Sequence, residues 1–199
     1  MAVMEIVNNI TLLAIFFCGA ALIREREHGT LEHLLVMLLT PTEIMLAKVW
    51  ANGLVVVVAT SLSLRLVVQW WLELPIVGSI PLFLAGVVIY LFSVTSLGIF
   101  LATLARSMPQ FALLALPVFI VMNLLSGGTT PRESMPQILQ TVMQFLPSTH
   151  FVRFAQAILY RGAGFDIVWP DFVATAAIGV VFFGGALARF RKTLTAMQT

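Results

Sequence analysis

Charge is what this sequence has least of. Its 11 basic and 9 acidic residues make up 10% of 199 positions, where a soluble domain carries about 25%. Apolar residues make up 60%, more than the surface-to-volume ratio of a soluble core this size can hide. Lipid is therefore the solvent for most of the chain. Cysteine is nearly absent too. Cys18 stands alone inside an apolar run, which excludes an intramolecular disulfide and a cysteine metal site. The only lysines are Lys48 and Lys192 and neither follows a glycine, so the phosphate-binding Gly-Lys-Ser/Thr loop is missing and the chain binds no ATP of its own by that route. There is no Ser/His/Asp set and no pair of close carboxylates, which leaves no catalytic residues, bound cofactor or metal site to assign. A net charge of +2 gives no reason to expect nucleic acid as a partner. The first apolar run has neither a basic flank before it nor a small-residue cleavage site after it, so it does not read as a cleaved signal peptide.

What is present is a series of apolar runs. A membrane helix needs about 20 mostly apolar residues, and 3–23, 45–71, 80–105, 108–125 and 168–188 meet or approach that. The expected fold is an all-α membrane protein, a five-span helical bundle forming one transmembrane domain over 1–199. Pro117 predicts a kink in the fourth span. Lysine and arginine set the orientation. Arg24, Arg26, Lys48, Arg106, Arg189, Arg191 and Lys192 fall on one side and Arg132, Arg153 and Arg161 on the other. The first side is expected to be cytoplasmic, with the N-terminus outside and the C-terminus inside. Trp70, Trp71 and Trp169 stand at span ends, where amphipathic rings settle at the interface. Arg65 follows Lys48 by 17 residues, about 26 Å along a helix. It can snorkel to the outer headgroups or line a substrate pathway, with Asn123 as a second pathway candidate.

Charge in this apolar chain is concentrated in the connection 24–44. Leu31, Leu34, Leu35 and Leu38 recur on one helical face. Thr30 can cap its start, with Glu32 in the first turn. Thr40, Pro41 and Glu43 then form a capping box that opens the next span. Such a helix can lie in the headgroups. Its other face carries Arg24, Glu25, Arg26, Glu27, His28, Glu32 and His33, a mixture of signs that suits a protein partner better than anionic lipid.

Beyond 126 lies an outer segment, 126–166, with two apolar stripes. Ile138, Leu139, Val142, Met143 and Leu146 form the first; Phe151, Phe154, Ala155, Ile158 and Leu159 form the second, and Pro147 separates them. Periodicity alone suits a pair of helices resting on the outer leaflet. His150 and Arg153 are expected to face water or the pathway mouth, His150 as a helix-start hydrogen-bonding group rather than a ligand, since no second metal-binding residue stands at ligand spacing. Glu5, Glu73, Asp166 and Asp171 read as solvated carboxylates near span ends. Gly98 with Ala102, and Gly184 with Ala188, offer small faces for close helix approach.

The run RERE-HGTLEHLLV followed by LTPTEIMLAK resembles the cytoplasmic signature of the ABC-2 family of ABC-transporter permeases, a bacterial inner-membrane class. Arg26, Glu27, Gly29, Thr30, Leu31, Glu32, Leu34 and Leu35 match that signature position by position. FLPSTHFVRFAQAILYRG is similar to the family's external segment before its last span. The resemblance extends from Val3 to about Lys192. It implies that the signature residues form a coupling element on a separate ABC ATPase subunit, which holds the ATP and Mg. It also implies a second permease chain in a dimer, room for a periplasmic adaptor, and external helices that re-enter the membrane to close the outer mouth. Family members begin with a further span and a large extracytoplasmic segment, so the chain is expected to lack both. The reading is a transport subunit of an exporter rather than an enzyme. An inactive truncated permease and a self-powered secondary carrier are the alternatives, the latter disfavoured because no span holds a midplane carboxylate.

Overall fold

The computed structural model describes residues 2–27, 40–63, 78–126 and 136–197. Among them are seven helices: α1 (Ala2–Glu27), α2 (Pro41–Ser63), α3 (Ile80–Leu104), α4 (Met108–Leu125), α5 (Gln137–Met143), α6 (Pro147–Arg161) and α7 (Phe165–Met197). Five are long and apolar enough to cross a membrane: Asn8–Glu25, Thr42–Ser63, Ile80–Leu104, Met108–Leu125 and Phe165–Phe190. The all-helical class follows from the solvent. Lipid offers no partner to backbone N–H and C=O groups, so each span satisfies its own.

The bundle is built around α3, which packs against α1, α2, α4, α6 and α7. Its sequence permits this in two ways. Small residues let neighbouring backbones approach, and the Thr95 and Ser96 hydroxyls bond back to the helix's own carbonyls. A Cβ at Gly98 would lie 2.8 Å from the Ile15 carbonyl oxygen of α1. One at Gly86 would lie 2.4 Å from the Phe154 ring of α6. A Cβ at Gly179 of α7 would lie 2.9 Å from the Ser93 Cα. Thr95 Oγ1 donates to Leu91 O and Ser96 Oγ donates to Phe92 O, each at 2.6 Å, which removes the cost of burying a hydroxyl. Between helices, the Thr11 and Tyr90 hydroxyls share a hydrogen bond of 2.6 Å.

These contacts fix directions. Thr11 meets Tyr90 and Ile15 meets Gly98, while Ser93 meets Gly179 and Phe100 meets Gly185. So α1, α3 and α7 run parallel. Glu27 meets Met108 and Phe16 meets Phe111, so α4 runs opposite to α1. One end of the bundle therefore gathers the finish of α1 and α3 with the start of α2 and α4. The other end carries α6 and the start of α7.

Two expectations about packing change. The Gly98/Ala102 face is closed by α1, and Ala102 is buried. A Cβ at Gly184 meets nothing within 4 Å, and both Gly184 and Ala188 are exposed. Only the second small face stays open to an outside partner. The stripes of the outer segment also differ from each other. On α6, Phe151, Phe154, Ala155, Ile158 and Leu159 are buried, packed against α3 and α7 rather than lying on lipid. On α5, Met143 is buried while Ile138 and Val142 are exposed. The seven residues of α5 span fewer than two full turns, too few to carry a stripe down one face. Helix α4 passes through Pro117 as one continuous helix, with only Phe111, Ala115 and Met122 buried.

Candidate functional site

At the end where α1 meets α2, polar side chains tie three helices together. Thr40 opens α2. Its N–H donates to Glu43 Oε2 at 2.7 Å, and Glu43 N–H donates back to Thr40 Oγ1 at 3.4 Å. The Thr40 hydroxyl adds a bond of 2.8 Å to the same carboxylate. Two of the N–H groups that a helix start leaves without partners are thus satisfied reciprocally. Pro41, without an N–H, takes the first helical position at no cost. Seven residues into α2, Lys48 Nζ pairs with Glu25 Oε1 of α1 and closes the base of the α1–α2 hairpin. Deeper along the same seam, Asn52 of α2 stands beside the buried thiol of Cys18.

Glu27, the last residue of α1, is exposed and reaches a third helix. Its Oε1 accepts the Met108 N–H at 3.0 Å. Met108 is the first residue of α4, whose N-cap Ser107 makes no side-chain cap bond. Glu27 supplies that cap from 81 residues away in sequence, and its negative charge suits the positive end of the helix dipole. Of the other signature residues, the side chain of Arg26 and all of Gly29, Thr30, Leu31, Glu32, Leu34 and Leu35 lie outside the described residues, as does Arg65.

At the opposite end the structure brings together two of the expected pathway residues through a third that was expected elsewhere. Asp171 of α7 is 9% exposed. Its Oδ1 meets His150 Nδ1 at 2.9 Å and accepts from Arg153 Nη1 at 3.2 Å. The reading of Asp171 as a solvated carboxylate is therefore corrected, while Arg153 is exposed and His150 is half-buried beside it. The sequence carried a usable signal: Val168, Asp171, Phe172 and Thr175 recur at the spacing of one helical face, and all four are buried. His150 Nε2 also lies 2.9 Å from the Gln144 carbonyl oxygen. Both ring nitrogens thus face oxygen atoms of the protein. Beneath this cluster Phe151 stacks on Tyr90 with centroids 3.9 Å apart and planes 3° from parallel. Asn123, the remaining pathway candidate, is half-buried near the C-terminal end of α4. Among the described residues no group of three or more His, Cys, Asp or Glu could hold a metal.

Comparison with known proteins matches residues 2–160 to the ABC-2 type transporter family. The chain is 62% identical to the inner membrane transport permease YhhJ of Escherichia coli K12 over 195 residues, 98% of this chain and 52% of that protein. It is 34% identical over 174 residues to the probable multidrug ABC transporter permease YbhR of the same strain, covering 85% of this chain and 46% of that one. Its identity to the probable multidrug ABC transporter permease YbhS is 27% over 185 residues. The chain spans about half the length of the curated relatives it matches. With five candidate membrane spans and this likeness along nearly its whole length, the chain is an inner-membrane protein that belongs to the ABC-2 type transporter permease family.

Proposed function

We propose that these residues form one membrane domain, 1–199, of a permease subunit that exports substrate across the bacterial inner membrane. ATP, with Mg, is hydrolysed on a separate ABC ATPase subunit. The observation that carries the reading is the clamped base of the α1–α2 hairpin. Glu25–Lys48 and the Thr40–Glu43 box fix both ends of the segment that matches the family signature. A segment held at both ends can pass a push from outside into the bundle, whereas one tethered loosely absorbs it. Arg26, Glu27, Gly29, Thr30, Leu31, Glu32, Leu34 and Leu35 form the coupling face toward the ATPase. The basic side chains gathered at this end put it, and the C-terminus, in the cytoplasm.

At the other end α5 and α6 close the outer mouth, with His150, Arg153, Asn123 and Arg65 along the pathway. A second permease chain packs on the open small face of Gly184 and Ala188, and a periplasmic adaptor meets the outer helices. The test is the recovery of the ATPase by pull-down with Glu32→Lys beside the parent. Weaker recovery and lost transport with normal insertion are expected. A headgroup-bound helix predicts the reverse, since an added lysine strengthens attraction to anionic lipid by about 1 kcal/mol. Unchanged recovery with unchanged transport sinks the coupling reading.

A further inference from the structure

The start of α4 draws only part of its bonding from its own sequence: Gln110 Oε1 accepts the Arg106 N–H at 2.8 Å, just ahead of the helix. Its first turn is Met108-Pro109-Gln110, and the Phe111 N–H is the first to find a backbone partner, Ser107 O at 3.0 Å. Pro109 has no N–H. Ser107 has the extended backbone of an N-cap, φ −143° and ψ 161°, yet its hydroxyl makes no cap bond. The Met108 N–H is satisfied instead by Glu27 Oε1 from the end of α1. Elsewhere α4 holds to the bundle through few side chains: Phe111, Ala115 and Met122 are its buried residues. Phe111 also touches α1, edge-on to Phe16 with centroids 6.0 Å apart. Helix α4 is thus a peripheral span whose first turn is bonded to Glu27, a residue of the family signature itself.

We propose that Glu27 is a positioning residue that makes α4 follow the signature segment. Displacement of that segment moves the end of α1, and the carboxylate carries the first turn of α4 with it. A cap drawn from a helix's own N-cap residue stabilises the helix but transmits nothing. A cap drawn from another helix does both, because the bond breaks unless the two ends move together. The Glu25–Lys48 pair does the same between α1 and α2. The end of α1 is therefore the shared point through which α2 and α4 are displaced. This inference rests on the exporter reading and adds the span that responds and the atom that pulls it.

The experiment uses the permease assembled with its ATPase, with Cys18 replaced and spin labels at Ile120 of α4 and Val173 of α7, both exposed. In the parent, ATP is expected to shift the label-to-label distance. In Glu27→Ala that shift is lost, and Glu27→Gln, which keeps an acceptor oxygen, retains it. The deciding variant is Glu27→Ala combined with Ser107→Asp, which gives α4 a cap of its own. Thermal stability returns to the parental value, and the ATP-dependent shift stays lost. If this double variant recovers the shift along with the stability, Glu27 is a cap and nothing more, and the inference is overturned. A parent whose label distance ignores ATP sinks the exporter reading instead, and this inference with it.

Discussion

The two ends of the bundle use the same kinds of side chain in different surroundings. At the hairpin end, Glu27, Glu43 and Thr40 are exposed and make bonds that water can reach, while the Glu25–Lys48 pair beside them is more enclosed. At the α6 end, one nearly buried aspartate holds a histidine and an arginine over a stack of aromatic rings. Charge-assisted bonds near solvent are worth little individually because water competes for the same groups. The same bonds around a buried carboxylate cost more to break, because the groups left behind have nowhere else to turn. The difference suggests a division of labour. The α6 end holds its contacts firmly, and the exposed bonds of the hairpin end exchange readily with water.

That contrast can be tested by three substitutions that should rank by size. Phe151→Ala should have the largest effect. The ring is fully buried between Tyr90, Phe83 and Phe154, and deleting it should destabilise the purified protein by about 3 kcal/mol through the cavity left behind. Thermal unfolding in detergent would show it. A shift no larger than that of a surface variant would mean that α6 is not packed into the bundle. Asp171→Ala should come next, at about 2 kcal/mol, because His150 Nδ1 loses its partner inside the protein. Arg153, half-exposed, contributes little of that. Asp171→Asn keeps one acceptor oxygen and should lie between parent and Ala. A cysteine placed at Val152, buried in α6, should label faster in the Ala variant, and equal rates would deny the aspartate its latch. Thr40→Ala at the hairpin end should be the smallest, about 1 kcal/mol, the usual cost of losing an exposed helix cap. If it matches Asp171→Ala, the two ends do not differ in the way proposed here.

A good part of this was legible in the chain itself. The apolar runs name the spans, because lipid permits no other regular structure and about 20 residues reach across it. The Thr40-Pro41-Thr42-Glu43 stretch forms the reciprocal bonds its pattern describes, since a capping box is made of residues three apart and needs nothing distant. The apolar stripe of α6 was visible as a stripe, although periodicity could not say whether lipid or protein covers it. Both are apolar, and the choice was made by Gly86, which leaves room for Phe154, and by Tyr90, which stacks on Phe151.

What the sequence determined by itself is therefore local or set by the solvent: helix starts, span lengths, and the scarcity of charge that puts the chain in a membrane. What only the tertiary structure decided is which distant residues share a site. Asp171 and His150 stand 21 residues apart, Lys48 and Glu25 stand 23 apart, and Glu27 and Met108 stand 81 apart. No periodicity links such positions. Parallel and antiparallel packing around α3 brings them together, and that packing depends on where a glycine lets one backbone touch another. Gly98 and Gly184 carry the same sequence pattern, yet one lies against the Ile15 carbonyl and the other faces open space. A small residue creates the opportunity for close approach, and the helix that arrives next to it decides whether that opportunity is used.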